Sequence, residues 1–221
     1  MKVLMLIISS DTESVYKEHR KIWSSYMNSN PSIHAYFIQY GDVKQTLENN
    51  TLWLTGKESF KAITTKTIDG FDFFLRKNDY DFIVRTNMSS FWNFEALMKF
   101  LNQLPKEKLY SGFIGNHNGI KFASGSGFIM SSDVAKLLIN NRNIAERVGI
   151  VDDVDIGYTM YKLGIPIYPG RRIDFHSKEM FLKHNYDPNA YHYRLKWHDR
   201  AKRCEEPEFM KLLILKQTKS L

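Results

Sequence analysis

The chain has 221 residues, 43% of them hydrophobic and 14% aromatic, enough to bury one sizeable core and too apolar for an intrinsically disordered chain. A formal charge of +7 favours an anionic partner, whether nucleic acid, membrane surface or phosphorylated small molecule, without choosing among them. The single cysteine, Cys204, excludes an intrachain disulfide and a thiolate metal cage and makes a reducing compartment the default.

In chain order, the apolar run opening the sequence is strand-length, lacks a small-residue cleavage pattern and reads as a first strand buried on both faces. Residues Ser14 to Met27 place Val15, Ile22, Trp23 and Tyr26 on one helical face, and Ile33 to Gly41 reads as a second strand. Glu58 to Lys77 fits a helix despite a Thr-rich middle. Tyr80 to Thr86 fits a third strand, and Asn93 to Leu104 an amphipathic helix stopped by Pro105. Leu109 to Gly115 and Gly125 to Ser131 read as strands, followed by a helix from Ser132 to Asn140, for which Ser131 and Asp133 look like start residues. The acidic stretch Val151 to Gly157 leads into a helix through Leu163, then a short strand over Ile165 to Pro169. The basic tail from Lys211 onward reads as a frayed end. No window approaches the roughly 20 apolar residues of a membrane span. The expectation is one α/β domain over residues 1–221, with a central mixed, mostly parallel sheet flanked by helices and ligands at the carboxyl ends of its strands.

Several short stretches carry possible chemistry. In FIVRTNMSSFW, Phe82 to Trp92, an apolar strand ends in neutral polar groups, where many α/β enzymes place carboxylates. Asp79 and Asp81 share a D-x-D spacing, but they precede that strand and read as turn residues. In VDDVDIG, Asp152, Asp153 and Asp155 crowd three carboxylates into four positions, so mutual repulsion raises the pKa of at least one. They suit either a general base or an acidic helix start that satisfies free backbone N–H groups. SGSG, Ser124 to Gly127, allows either close backbone approach to a sugar or phosphate or a simple bulge. It lacks the remaining features of a dinucleotide fingerprint.

These stretches, together with HRKIW (His19 to Trp23) and ESFKAITTKT (Glu58 to Thr67), follow one another in an order that resembles the beta-1,3-galactosyltransferase and fringe-like glycosyltransferases. HRKIW is similar to that family's Arg-x-x-Ile-Arg-x-Thr-Trp helix without its second Arg and its Thr. Arg85 to Asn93 stands where the family has Lys-Thr-Asp-Asp-Asp-x-Phe-x-Asn. Ala123 to Leu138 looks like the Gly-Gly strand and Ser-x-Asp helix start, and Val151 to Pro169 like the acidic Asp-Val-x-x-Gly element with its Leu-Gly-Ile partner.

The resemblance implies a GT-A fold and inverting transfer of a hexose or N-acetylhexosamine from a UDP-sugar to a glycan hydroxyl. Asp153 then matches the general base, and Asp152 supports substrate binding or orientation. Ser9, Ser10 and Asp11 fall where base and ribose lie in this fold, and Arg85, Thr86, Asn87 and Ser89 fall beside the diphosphate. Gly125, Ser126 and Gly127 fall on the acceptor and donor-sugar side. The family's aspartates hold Mn or Mg, often with a later His, but here those positions are Asn87, Met88 and Ser89, which are neutral and weak ligands.

Two alternatives stay open. One is metal-independent transfer, with Arg85 and then Arg171, Arg172, Lys183, Arg194 and Lys196 neutralising the diphosphate. The other is a divalent cation held by Ser89, His176 and His192. Lacking the secretory signal and anchor of the family's Golgi members, the chain is expected to be a cytoplasmic microbial or viral enzyme. A catalytically silent carbohydrate-binding relative is the competing reading. Nucleic acid is not an expected partner, because the basic residues are dispersed among acids without a recognisable motif. The oligomeric state stays open.

Overall fold

The computed structural model describes residues 1–219. In chain order they form β1 (Val3–Ile8), α1 (Ser14–Tyr26), β2 (Ile33–Gly41), β3 (Thr46–Glu48), β4 (Thr51–Thr55), α2 (Ile63–Leu75), β5 (Phe82–Asn87), β6 (Ser90–Trp92) and α3 (Phe94–Leu101). There follow β7 (Tyr110–His117), β8 (Ile120–Ser131), α4 (Ser132–Asn140), α5 (Arg142–Val148), α6 (Asp152–Lys162), β9 (Ile167–Pro169), β10 (Ile173–Phe175), α7 (Lys178–Lys183), β11 (His192–Leu195) and α8 (Glu206–Lys219). The chain divides into two compact units. Among the described residues, no helix is long and apolar enough to cross a membrane.

The first unit comprises Met1–Ser9, Ser32–Asn87 and Pro105–Gly170. It carries an eight-stranded sheet of order β3-β4-β2-β1-β5-β8-β7-β9. The central β1 runs parallel to both β2 and β5, with Leu6 opposite Tyr36 on one side and Arg85 on the other. β4 and β9 also pair in parallel, whereas β3 and β8 pair antiparallel to their neighbours. Val3 to Ile7 are all 0% exposed, as a strand covered on both faces must be. Leu4, Leu6 and Ile83 share one core with Ile68 and Phe71 of α2, Val134 and Leu138 of α4, and Ile156 and Met160 of α6. Each such fully buried side chain contributes roughly 1.5–3 kcal/mol.

The second unit comprises Ser10–Pro31, Met88–Leu104 and the chain from Arg171 onward. A three-stranded sheet of order β10-β11-β6 is packed with aromatic rings, including the contacts Tyr26–Phe91, Phe91–Tyr193 and Phe175–Phe181. A buried polar network ties α1 to α8: Glu206 accepts from Arg203 at 2.8 Å and from the Trp197 N–H at 2.9 Å, and lies 3.3 Å from His19.

Several elements depart from the sequence reading. Between β2 and α2 lies the unanticipated β3–β4 hairpin, so Phe82–Asn87 is the fifth strand and not the third. Its turn residues Asn49 and Asn50 adopt φ of 48° and 59°, the left-handed pair that a two-residue hairpin turn requires and that Asn tolerates. The Glu58–Lys77 stretch begins as a 3-10 turn, Phe60–Ala62, before α2. β8 starts at Ile120 and not at Gly125. The expected frayed tail from Lys211 is part of α8, with Ser220 and Leu221 outside the described residues. Ser131 and Asp133 do begin α4, but their side chains also accept the backbone N–H groups of Leu109 and Lys108 at 2.9 Å. Asp79 and Asp81 lie in the loop before β5, where Asp81 pairs with Lys106 at 2.8 Å.

Candidate active site

α6 begins at Asp152, so Asp152, Asp153 and Asp155 lie within its first turn and not ahead of the helix as the sequence suggested. Val151 is the N-cap and supplies no side-chain hydrogen bond. The three carboxylates are then separated by their partners. Asp155 is 3% exposed, and it accepts the Thr64 hydroxyl at 2.7 Å and the Ile150 N–H at 2.9 Å. Asp152 is 7% exposed and receives the Arg85 guanidinium through Nη2. Burial pushes the Asp152 carboxyl above its ordinary pKa, the Arg85 charge opposes that rise, and Asp153 and Asp155 add to it. The repulsion expected from the sequence therefore acts on Asp152. Asp153 is half-buried. Its Oδ2 accepts the Gly125 N–H at 2.8 Å and its Oδ1 accepts the Val154 N–H at 3.1 Å.

Arg85 reaches this cluster from β5, where it stands between Leu6 and Phe128 in the sheet register. It is 2% exposed, with its guanidinium 5.7 Å from the centre of the Phe128 ring. Besides Asp152 it donates from Nη1 to the Gly125 carbonyl. Both Nη groups thus have partners inside the protein. The Arg85 charge, expected beside a diphosphate, is here directed at Asp152.

Gly125 sits at the meeting point. A Cβ there would lie 3.0 Å from Arg85 Nη1, 3.1 Å from Asp152 Oδ2 and 3.2 Å from Asp153 Oδ2, so close backbone approach is required. Beside it, the Thr86 hydroxyl donates to the Ser126 carbonyl at 2.8 Å, and Gly127 pairs with Thr86 in the sheet. Asn87 ends β5 opposite Ile8.

A second charged cluster lies in the same unit and was not recognised in the sequence. Lys66 of α2 is 1% exposed. It donates to both Glu58 carboxylate oxygens, at 2.9 and 2.7 Å, and to the Ser9 carbonyl at 3.0 Å. Burial lowers the Lys66 pKa, with Glu58 opposing the fall. Glu58 also accepts the Tyr40 N–H at 2.8 Å. The ends of β1 and β2 are thereby fastened to α2. The available signal was a lysine beside the helical stripe that carries the apolar residues Ile63, Phe71 and Phe74. The Ser9 hydroxyl bonds Gln39 Oε1 at 3.2 Å.

The remaining sequence candidates belong to the second unit. Ser10 bonds the Thr12 side chain at 2.9 Å, and Asp11 is exposed. Ser89 lies 3.5 Å from Arg203 Nη2, a guanidinium that repels a cation. His192 is 2% exposed, is 3.1 Å from the Ser90 hydroxyl and stacks on Trp92 at 4.1 Å. Its pKa falls well below the ordinary value through burial and the nearby Arg172 and Arg194 charges. His176 stacks on His198 at 4.3 Å. Among the described residues, no group of three or more His, Cys, Asp or Glu is placed to hold a metal ion. Neither His176 nor His192 belongs to such a group, and the Arg203 guanidinium beside Ser89 works against a cation there. Among the other cations considered, Arg172 pairs with Asp174 at 2.9 Å.

No protein-family model matches this chain, and a search of curated proteins finds no match. Solved structures do. The chain is similar to a glycosyltransferase involved in the glycosylation of the major capsid of PBCV-1, with a TM-score of 0.59 and 11% identity over 96% of this chain and 100% of that one. It is also similar to the galactosyltransferase LgtC in complex with donor and acceptor sugar analogs, with a TM-score of 0.54 and 10% identity over 97% of this chain and 96% of that one. An active-site mutant of LgtC gives the same TM-score and identity over 96% and 95%. At these identities the likeness establishes the fold, which is GT-A-like: a mixed α/β sheet flanked by helices.

Proposed function

We propose that residues 1–221 act as one inverting glycosyltransferase, moving a hexose or N-acetylhexosamine from a UDP-sugar to a glycan hydroxyl, with Asp153 as the general base. One observation carries this reading. Of the three carboxylates in the first turn of α6, Asp155 and Asp152 are buried against Thr64 and Arg85, and Asp153 alone is half-buried and held only by backbone N–H groups. It retains lone pairs and exposure for a substrate proton, as a general base requires. In the transfer, the acceptor hydroxyl gives its proton to Asp153 while its oxygen attacks the sugar anomeric carbon. The bond from that carbon to the diphosphate breaks, and UDP leaves with the electron pair. Donor contacts are proposed at the carboxyl ends of β1 and β5, around Ser9, Thr86 and Asn87, where parallel strands present ligand sites. Acceptor contacts are proposed along Gly125, Ser126 and Gly127. The glycosyltransferases among the structural neighbours support the reaction class, and the motif order supports the beta-1,3-galactosyltransferase-like family.

The neutral Asn87-Met88-Ser89 sequence in place of aspartates favours one rival, a carbohydrate-binding relative without transferase activity. A thermal-shift screen of nucleotide sugars, followed by product assay of Asp153→Asn, tests both. The enzyme is expected to gain melting temperature with one UDP-sugar, and Asp153→Asn to keep that shift while losing transfer. Absence of any shift overturns the enzyme reading, and glycan binding unchanged in Asp153→Asn without turnover of the native chain establishes the rival.

A further inference from the structure

We propose that Arg85 is a positioning residue that fixes the Asp153 carboxylate through the backbone of Gly125. The inference rests on the reading of Asp153 as the base and goes beyond it by identifying what holds that base in place.

Gly125 lies between two paired segments of β8. The pairing of β8 with β5 ends at Gly127 opposite Thr86, and its pairing with β7 jumps from Phe128 opposite Gly112 to Ala123 opposite Ile114. Gly125 therefore has no register partner in either ladder, and glycine is the residue with the most backbone freedom to restrain. Side chains hold it instead. The Gly125 carbonyl accepts Arg85 Nη1, and the Gly125 N–H donates to Asp153 Oδ2 at 2.8 Å. The two bonds flank one Cα, and the peptide planes that carry them are joined by the φ and ψ of Gly125 alone, so anchoring the carbonyl on Arg85 narrows the range over which the N–H that holds Asp153 can swing.

The arginine fork suits this task in a way lysine does not. Its planar guanidinium presents two donors in fixed relation. One engages Asp152 and the other engages Gly125, so the same group registers the start of α6 against Gly125 of β8. A lysine supplies the charge that buried Asp152 needs but offers a single compact point.

Steady-state kinetics of Arg85→Lys and Arg85→Gln in the full chain test the proposal. Arg85→Lys is expected to keep the native melting temperature and to lose about 100-fold in kcat, the scale at which a misplaced catalytic group costs rate. Its donor KM and its affinity for UDP are expected to stay within about threefold. A rise in donor KM or loss of UDP affinity at unchanged kcat overturns the proposal in favour of direct donor contact. Full recovery of kcat by lysine overturns it in favour of charge compensation alone. Should the Arg85 variants fail to fold, Gly125→Ala decides, because its Cβ intrudes on the same three side chains: lost kcat at native UDP affinity supports the relay, and native kcat overturns it. The Gly125 amide proton resonance reports its hydrogen bond without turnover and is expected to move in Arg85→Lys, whereas an unmoved resonance sinks the relay. An Asp153→Asn variant as active as the native chain refutes the base assignment. A dead Asp153→Asn beside fully active Arg85 variants refutes the relay alone.

Discussion

The Asp155 carboxylate accepts the Thr64 hydroxyl at 2.7 Å, a bond between α6 and α2 that spans 91 positions. With the Ile150 N–H on its other oxygen, Asp155 is a structural staple two residues from the proposed base. Asp155→Ala leaves the Thr64 hydroxyl and the Ile150 N–H without their acceptor and is expected to cost roughly 2–4 kcal/mol. Urea denaturation measures that loss. Turnover per folded molecule is expected to survive, whereas Asp153→Asn is expected to leave the urea midpoint in place and abolish transfer.

Gly157 lies inside α6 facing β8, where a Cβ would stand 2.3 Å from Phe122 Cβ and 2.8 Å from Phe122 Cα. The obstruction is backbone as well as side chain, so it cannot be relieved by a rotamer change. Gly157→Ala is expected to destabilise the chain by about 1–3 kcal/mol or more. Adding Phe122→Ala is expected not to restore the native urea midpoint, because the Phe122 Cα and the Lys121 carbonyl at 3.2 Å remain.

Lys66→Met removes the partner of Glu58 and the donor to the Ser9 carbonyl. Breaking a buried pair by deleting one member costs roughly 3–5 kcal/mol. Partial exposure of Glu58, whose side chain is 16% accessible, places the expected loss at the lower end. Glu58→Gln with Lys66→Met is expected to recover part of it, as a thermodynamic double-mutant cycle would show.

Two buried groups in the second unit give it a pH dependence of defined sign. Burial and two arginines depress the His192 pKa below its ordinary 6.5, so its contribution to stability is present above pH 6.5 and is lost as pH falls toward the folded value. For Glu206, burial raises the pKa, but hydrogen bonds from His19, Arg203 and the Trp197 N–H outweigh it and hold the group below its ordinary 4.5. Its contribution is lost only below pH 4.5. Tryptophan-detected urea midpoints are expected to fall between pH 6.5 and 4.5, with a slope of at most about 1.4 kcal/mol per pH unit for one proton. His192→Gln is expected to flatten that interval and leave the drop below it.

Turnover is expected to persist in EDTA, because Asn87, Met88 and Ser89 supply no carboxylate and Arg203 stands beside Ser89. Loss of activity in EDTA that manganese restores would refute this. NMR of the first product formed is expected to show the anomeric configuration opposite to that of the donor.

The strands and helices with strong periodicity were legible in the sequence: Val3–Ile8, Ile33–Gly41, Phe82–Asn87 and Ser132–Asn140 lie within a residue or two of their expected positions. The β3–β4 hairpin was not, although the Asn49-Asn50 pair between short alternating runs was a usable turn signal. In the second unit α1 and α3 were legible, but the short strands β6, β10 and β11 carry no period long enough to read.

The sequence by itself determined the class of fold and the presence of three carboxylates in four positions, because periodicity and composition are local properties. Which carboxylate is available was decided only by tertiary structure. Thr64 comes from 91 positions away, Arg85 from 67 and Gly125 from 28, and a partner's identity has no local signature at such separations. For the same reason the partners of Arg85, which are Asp152 and Gly125, and those of Lys66, which are Glu58 and the Ser9 carbonyl, were not legible in the sequence.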